Sequence, residues 1–205
     1  MPDPVYSIGH SRHEPDVFLD LLQRHGITAV CDVRSKPFSR MNPQFNRDEL
    51  QATLWENGIA YRFMGKELGG RSDDPACYID GRVSYTRIAA SQSFQGGLRR
   101  VIGGMKDFRI ALMCAEKEPL DCHRTILVSR RLVEQGTPVE HIHPDGSLES
   151  HDAAVRRLFE LLDMSEDHLF LSREELVNDA YEFQEKRIAY EADDTDASVG
   201  RGASE

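Results

Sequence analysis

The chain lacks the features that would place it in a membrane or outside the cell. No apolar run approaches the roughly 20 residues that a membrane span requires, so no membrane partner is expected. The N-terminal MPDPVYSIGHSR has no basic segment followed by an apolar one, as a secretory leader would. Cysteine is scarce: there are 4 in 205 residues, without the spacing of a disulfide framework. Such usage suits a reducing compartment, and the chain reads as cytoplasmic. There is also no CxxC or HxxxH pair and no internal repeat, which argues against a zinc finger or a solenoid.

A basic excess is missing too. Residues 1–130 carry 18 Lys and Arg against 16 Asp and Glu, a net of +2, and residues 131–205 carry 7 against 19, a net of −12. The overall −10 therefore belongs to the C-terminal third, and an anionic ligand on the N-terminal part would depend on local basic patches.

What is present reads as one α/β core. Residues 5–10 (VYSIGH) form a strand, and a helix follows over about 14–25, with Pro15 in its first turn, an apolar face of Val17, Phe18, Leu21 and Leu22, and a stop at Gly26. Residues 27–34 form a second strand, so the first three elements make a right-handed βαβ unit. A loop over 35–46, a helix over 47–57 and a strand over 59–64 come next. Residues 65–83 are rich in Gly and Asp and read as a long loop or lid. A helix over 84–102, a strand over 109–114, a helix over 123–135 and a strand over 139–143 complete the alternation. The expected fold is a three-layer α/β domain over 1–150, with a mostly parallel sheet of about five strands and flanking helices. Residues 151–190 are expected to add C-terminal helices packed on that core, with Val155, Leu158, Phe159 and Leu162 at helical spacing. Ser172 and Glu175 make a capping box ahead of Leu176, Ala180 and Phe183, and 191–205 reads as a disordered acidic tail.

In an open parallel sheet, ligands bind beyond the carboxyl ends of the strands. Those ends here deliver Gly9, His10, Ser11 and Arg12, then Asp32, Arg34 and Ser35, then Cys114 and Glu116. Cys122, His123 and Arg124 open the helix that follows. A cysteine at a helix start beside Arg or His has a lowered pKa, which favours Cys122 as a nucleophile over Cys114. His123 or His10 would be the acid or base. Arg34 and Arg124 would hold an anionic group, unless Arg34 pairs internally with Asp32. Arg40, Asn42, Gln44 and Asn46 lie in a loop that also carries Lys36, Arg47, Phe38 and Phe45, a composition suited to phosphates and bases. No cofactor is required by this reading. A zinc site is the alternative use of Cys114, Cys122 and His123, with His10 as a fourth ligand, and a redox pair of the two thiols is another.

These residues fall within motifs that resemble a known family. SIGHS (7–11), CDVRSKPFSRMNPQFN (31–46), ELGG (67–70), LMCAEKEPLDCHR (112–124) and QEKRIAY (184–190) together resemble the bacterial domain-of-unknown-function 488 family, in order from about residue 5 to 190. The resemblance implies no particular activity, although the cysteine motif is usually taken as a hint of an enzyme. A weaker similarity, to rhodanese-like and cysteine-phosphatase loops, rests on a strand ending in Cys and a loop closing on Arg. Here Cys122 follows Cys114 by eight positions, and the Gly-rich cradle of those enzymes is missing. The leading expectation is a cysteine-dependent hydrolase or transferase acting on an anionic small molecule, a nucleotide or a nucleic-acid-derived substrate. The alternatives are a nucleic-acid-binding protein without catalysis, linked to DNA repair or defence, and a zinc or thiol-redox module.

Overall fold

The computed structural model of the chain describes residues 3–165 and 170–191. Strand β1 (Val5–Gly9) is buried throughout. Pro15 starts helix α1 (Pro15–Arg24), where its fixed φ fits and its missing N–H leaves no helical bond unmade. Phe18, Leu19, Leu21 and Leu22 form the buried face of α1, whereas Val17, expected there, is 45 % exposed. Strand β2 (Ala29–Asp32), helix α2 (Arg47–Glu56) and strand β3 (Ala60–Phe63) follow as predicted.

The long loop expected over 65–83 has structure of its own. It holds a helical turn, α3 (Gly65–Leu68), and a small antiparallel hairpin of β4 (Tyr78–Ile79) and β5 (Arg82–Val83). Asp80 and Gly81 turn the hairpin at φ +49° and +79°, the doubly positive conformation that suits a two-residue connection. The single helix expected over 84–102 is two, α4 (Tyr85–Ala90) and α5 (Gln92–Gly104). Ser91 divides them because its backbone is extended and its hydroxyl accepts the Phe94 N–H, capping α5.

Strand β6 (Ile110–Cys114) is buried along its length. Beyond the loop that follows, residues Arg124–Ser129 wind as a π-helix and pass into α6 (Arg130–Glu134), where an uninterrupted α-helix was expected. Strands β7 (Val139–Ile142) and β8 (Leu148–Ser150) lead to α7 (His151–Leu161) and α8 (Arg173–Ile188).

The main sheet has the order β3-β2-β6-β1-β7-β8, parallel except for β8, which runs antiparallel to β7 at the edge. It has one strand more than expected, because three residues are too few for β8 to show an alternating pattern. Period-two alternation divides β6 between two apolar layers. Ala111 and Met113 pack with α1 and α2 on one face. Ile110, Leu112 and Cys114 pack on the other, with α4, α5, the π-helix and the C-terminal helices. Ala154, Val155, Leu158 and Phe159 of α7 and Leu176, Ala180 and Tyr181 of α8 belong to that same cluster. The Ser172–Glu175 capping box is formed, but Phe183 is 55 % exposed and Gln184 takes the buried position beside it. The tail expected to be disordered lies outside the described residues, apart from Glu191, which pairs with Arg82.

A buried polar chain ties the C-terminal helices to the sheet. Ser7 Oγ lies 2.7 Å from His141 Nδ1, His141 Nε2 lies 3.1 Å from His151 Nδ1, and His151 Nε2 lies 2.7 Å from Tyr181 Oη. Burial holds His141 well below its ordinary pKa and His151 down to about 4. Asp152, Glu134 and Glu149 oppose the shift at His151, while Arg130 adds to it. Below about pH 6.5 the unfolded chain therefore binds protons that the folded chain refuses, and stability falls as pH drops from there toward 4. Each fully excluded proton contributes about 1.4 kcal/mol per pH unit. In denaturant titrations over this window, His151→Asn should show a shallower pH slope than the wild type by about one proton. An unchanged slope would mean that His151 is charged in the folded protein.

Candidate metal centre

Cys114 closes β6, and its partner in the adjoining strand is Gly9. A side chain at Gly9 is excluded, since its Cβ would come within 1.9 Å of the Glu116 carbonyl oxygen. The approach allows His10 N–H to donate to Cys114 O at 2.9 Å and Ser11 N–H to donate to Ala115 O at 3.0 Å. The loop after Cys114 is then turned back by four side chains. Glu118 accepts the Leu120 N–H at 3.1 Å and pairs with Arg157 of α7 at 2.8 Å. Gln184 of α8 donates to Leu120 O at 2.8 Å. Arg124, fully buried, donates to Glu116 O at 2.7 Å and to Lys117 O at 3.3 Å.

The returning chain places Cys122 and His123 beside Cys114. Cys114 Sγ, Cys122 Sγ and a His123 ring nitrogen all lie within 4.8 Å of one another. His123 Nε2 donates to the Val33 carbonyl at 2.9 Å, which turns Nδ1 toward Cys114 Sγ at 3.7 Å and Cys122 Sγ at 3.8 Å. In a tetrahedral zinc site, with Zn–S about 2.3 Å and Zn–N about 2.0–2.1 Å, neighbouring S and N atoms stand about 3.6 Å apart. The spacing therefore fits a shared metal with little movement. Glu116 Oε2 accepts from Cys114 at 2.9 Å and lies 3.2 Å from Cys122 Sγ. Gly70 lets the imidazole lie close, since a Cβ there would be 2.8 Å from His123 Cγ.

The four groups divide their charge unequally. Burial pushes the Cys114 thiol well up, and the neighbouring Cys122 and Glu116 reinforce the shift. Burial acts the same way on Cys122, but the hydrogen bond from Cys114 and the positive Arg124 and His123 outweigh it and set that thiol well below its ordinary range. Glu116 is raised by burial and by the Cys122 charge. Burial opposes protonation of His123, yet the Cys122 thiolate raises it. Of the two thiols, Cys122 is therefore the one whose ionised form the surroundings favour.

The cluster forms the floor of a pocket of about 260 Å³. Arg34, Ser35 and Lys36 line it from the β2 side, and Gly70, Arg71 and Tyr85 line it from the following segments. Ile188 and Tyr190 close it from the C-terminal end of α8, where the Arg71 guanidinium lies 3.9 Å from the Tyr190 ring centroid. A second lobe of about 250 Å³ adjoins it across Arg34, Lys36 and Ala115.

The other residues singled out from the sequence have different surroundings. His10 is beyond Arg34 and apart from the thiols. Its Nδ1 is 2.9 Å from Ser11 O, its Nε2 faces Arg34 Nη1 at 3.2 Å, and its ring stacks on Phe45 at 4.4 Å. Burial and then the Arg34 charge hold it down to about 4, so it is neutral with both nitrogens engaged. Glu116, rather than His10, is the further donor beside the three-ligand set. Asp32 is fully buried and accepts from Arg34 and from Tyr61, so it faces no ligand. Arg124 points into the loop and away from the pocket. Asn46 Oδ1 accepts the Ser39 N–H at 2.7 Å and Gln44 donates to His13 O at 3.3 Å, both holding the 35–46 loop in shape. Ser11 and Asn42 line the second lobe, and Arg40 is exposed. The sequence reading did not single out Gly70, Arg71, Tyr85 or Tyr190. Gly70 and Tyr190 belong to the ELGG and QEKRIAY motifs, which were the available signal.

Among known proteins, the family model described as "Domain of unknown function DUF488" matches residues 14–131. No curated protein and no solved structure matches the chain, so no match bears on the weaker similarity to rhodanese-like and cysteine-phosphatase loops.

The Arg34 fork is closed on Asp32, with Nε–Oδ1 at 2.9 Å and Nη2–Oδ2 at 2.7 Å, and Nη2 also donates to Phe45 O at 2.8 Å. Lysine keeps the charge but cannot make these bonds together. Arg34→Lys should therefore destabilise the fold by about 2 kcal/mol, a fall on the order of 4–8 °C in Tm. A thermal melt of the variant checks this, and an unchanged Tm would mean that the Asp32 pairing contributes nothing to stability.

Proposed function

Since the chain belongs to the DUF488 family, whose description names no activity, we propose its function from the site itself. It is a zinc-dependent hydrolytic enzyme in which Cys114, Cys122 and His123 hold the metal and Glu116 serves the bound water. One observation carries the reading: two thiols and an imidazole converge within 4.8 Å on the floor of an open pocket. Two sulfurs and a nitrogen suit zinc better than magnesium or calcium, which prefer oxygen. The backbone bond from His123 Nε2 to Val33 O is the outer contact that fixes a metal-binding imidazole in one tautomer. Structural zinc sites are closed by four protein ligands, whereas catalytic ones keep a position open for water or substrate. A three-ligand set facing a cavity belongs with the second kind.

The chemistry follows from that open position. A zinc ion held by Cys114, Cys122 and His123 would supply a bound water acidified to a pKa of about 7. Glu116, which lies against both sulfurs, would take a proton from that water as its oxygen bonds to an electrophilic carbon or phosphorus. The bond to the leaving group breaks, and Glu116 returns the proton to it. Water is thereby divided between the two products. In this reading Cys122 is a metal ligand, and no covalent enzyme intermediate forms.

Zinc should bind the full-length chain at one equivalent and raise its Tm on the order of 5–10 °C at a hundredfold excess over Kd, with a chelator reversing the shift. Cys114→Ser, Cys122→Ser and His123→Ala should each lose the metal, while Glu116→Gln should keep it. Metal analysis and thermal melts read both effects. A wild-type protein that neither retains zinc nor responds to it, with thiols that alkylate equally fast in its presence, would return the site to a plain thiol centre.

A further inference from the structure

The metal pocket has a second pocket beside it. At about 260 Å³ it is below the roughly 300–1,000 Å³ usual for a ligand site, but with the adjoining lobe of about 250 Å³ the two together fall within that range. The lobes share Arg34, Lys36 and Ala115, and their characters differ. Glu116, Asp121 and the two thiols line the metal lobe. The second lobe has no carboxylate; Arg12, Lys36, Asn42 and Ser39 line it, along with Phe38, which is 67 % exposed.

Arg34 stands on the wall between them with most of its donors in use. A guanidinium has five N–H bonds. Two go to Asp32, one to Phe45 O and one to His10 Nε2, which leaves a single N–H on Nη1. A ligand spanning both lobes would meet a fixed, desolvated donor at the crossing, with the exposed Arg12 and Lys36 beyond it.

We propose that this double cavity binds a nucleotide, with its phosphate in the Arg12–Lys36 lobe and its base in the metal lobe. The inference rests on the metal reading of Cys114, Cys122 and His123 and assigns that site a substrate class. The phosphate belongs in the second lobe because only there is a dianion met by cations with no carboxylate or thiolate close by. The base belongs in the metal lobe because the stacked Arg71 and Tyr190 give that lobe a flat wall suited to a planar ring. The donor set agrees with this placement. Zinc enzymes that act on nucleobases hold their metal with thiolates and an imidazole and use a nearby non-ligand Glu as acid and base. Phe38, at the outer rim of the second lobe, would stack on a neighbouring base if the nucleotide belongs to a strand.

Isothermal titration of the zinc-loaded, full-length chain tests the assignment. The probes are the four ribonucleoside monophosphates, the corresponding nucleosides, and a single-stranded oligonucleotide of about ten residues. At least one monophosphate should bind on the order of tenfold or more tightly than its nucleoside. That preference should disappear in Arg12→Glu and Lys36→Glu, which alter exposed residues and leave zinc content unchanged. An oligonucleotide that binds more tightly than any monomer, with a steep salt dependence, identifies a strand as the source of the nucleotide. Monomer binding without that gain identifies a free nucleotide. Equal binding of nucleoside and nucleotide, a preference that survives both charge reversals, or no binding of any probe to zinc-loaded protein would overturn the proposal. Zinc content measured on the same samples separates the two readings. A chain without zinc fails the metal centre, and a zinc-loaded chain indifferent to the phosphate fails only the second lobe.

Discussion

Arg124 is a fully buried guanidinium that donates to the carbonyls of Glu116 and Lys117, while its Nε has no hydrogen-bond partner. A buried charge costs several kcal/mol unless other groups compensate it. Here two carbonyl dipoles compensate it, and Arg124 in turn favours the ionised form of the neighbouring Cys122. The same bonds fold the loop after β6 back on itself, so that Cys122 returns to the side of Cys114. The contact also needs Gly9, because the Glu116 carbonyl and Arg124 Nη1 occupy the space that any side chain there would enter. Charge compensation and chain reversal are thus one arrangement. The π-helix that carries Arg124 keeps the widened turn satisfied, with Ser129 Oγ donating to the Arg124 carbonyl at 2.7 Å.

The C-terminal helices complete both the core and the pocket. Apolar residues of α7 and α8 share the cluster that includes Cys114 and Cys122, and Arg157 and Gln184 grip the loop between the two cysteines. Ile188 and Tyr190 then form the wall opposite Arg34. The residues of α7 and α8, with Tyr190, lie beyond the 14–131 stretch matched by the family model. The three candidate ligands, Glu116 and the walls formed by Arg34, Lys36, Gly70, Arg71 and Tyr85 lie inside that stretch, while the wall formed by Ile188 and Tyr190 comes from outside it. The C-terminal helix therefore closes a pocket whose other walls come from the same stretch as the cluster, and Gln184 couples it to the loop.

The fold was readable because burial imposes simple periods. Fully buried β-rich runs marked the central strands, helical spacing marked α1 and α7, and helical crossovers between strands implied parallel pairing around the sheet. What was misjudged depended on local competition. Ser91 prefers to cap a helix over continuing one, and Asp80-Gly81 makes a hairpin inside an apparent loop. Phe183 has the apolarity for a core position, yet Gln184 occupies it because the Leu120 carbonyl there requires a donor. Strand β8 is edge-paired and brief, so its residues carry no distinctive pattern.

At the site the division is similar. The sequence alone determined that the strand ends would bring Cys114, Glu116, Cys122 and His123 to one edge of the sheet, because parallel pairing makes those ends point the same way. Whether Arg34 faces a ligand or Asp32, and whether His10 reaches the thiols, was decided by tertiary structure. Hydrogen-bond partners distant in the chain, such as Phe45 O for Arg34 and Val33 O for His123, settle which atoms remain free. Residue type and spacing specify which groups approach one another. Only packing decides the direction of each lone pair and N–H, and metal or anion binding depends on those directions.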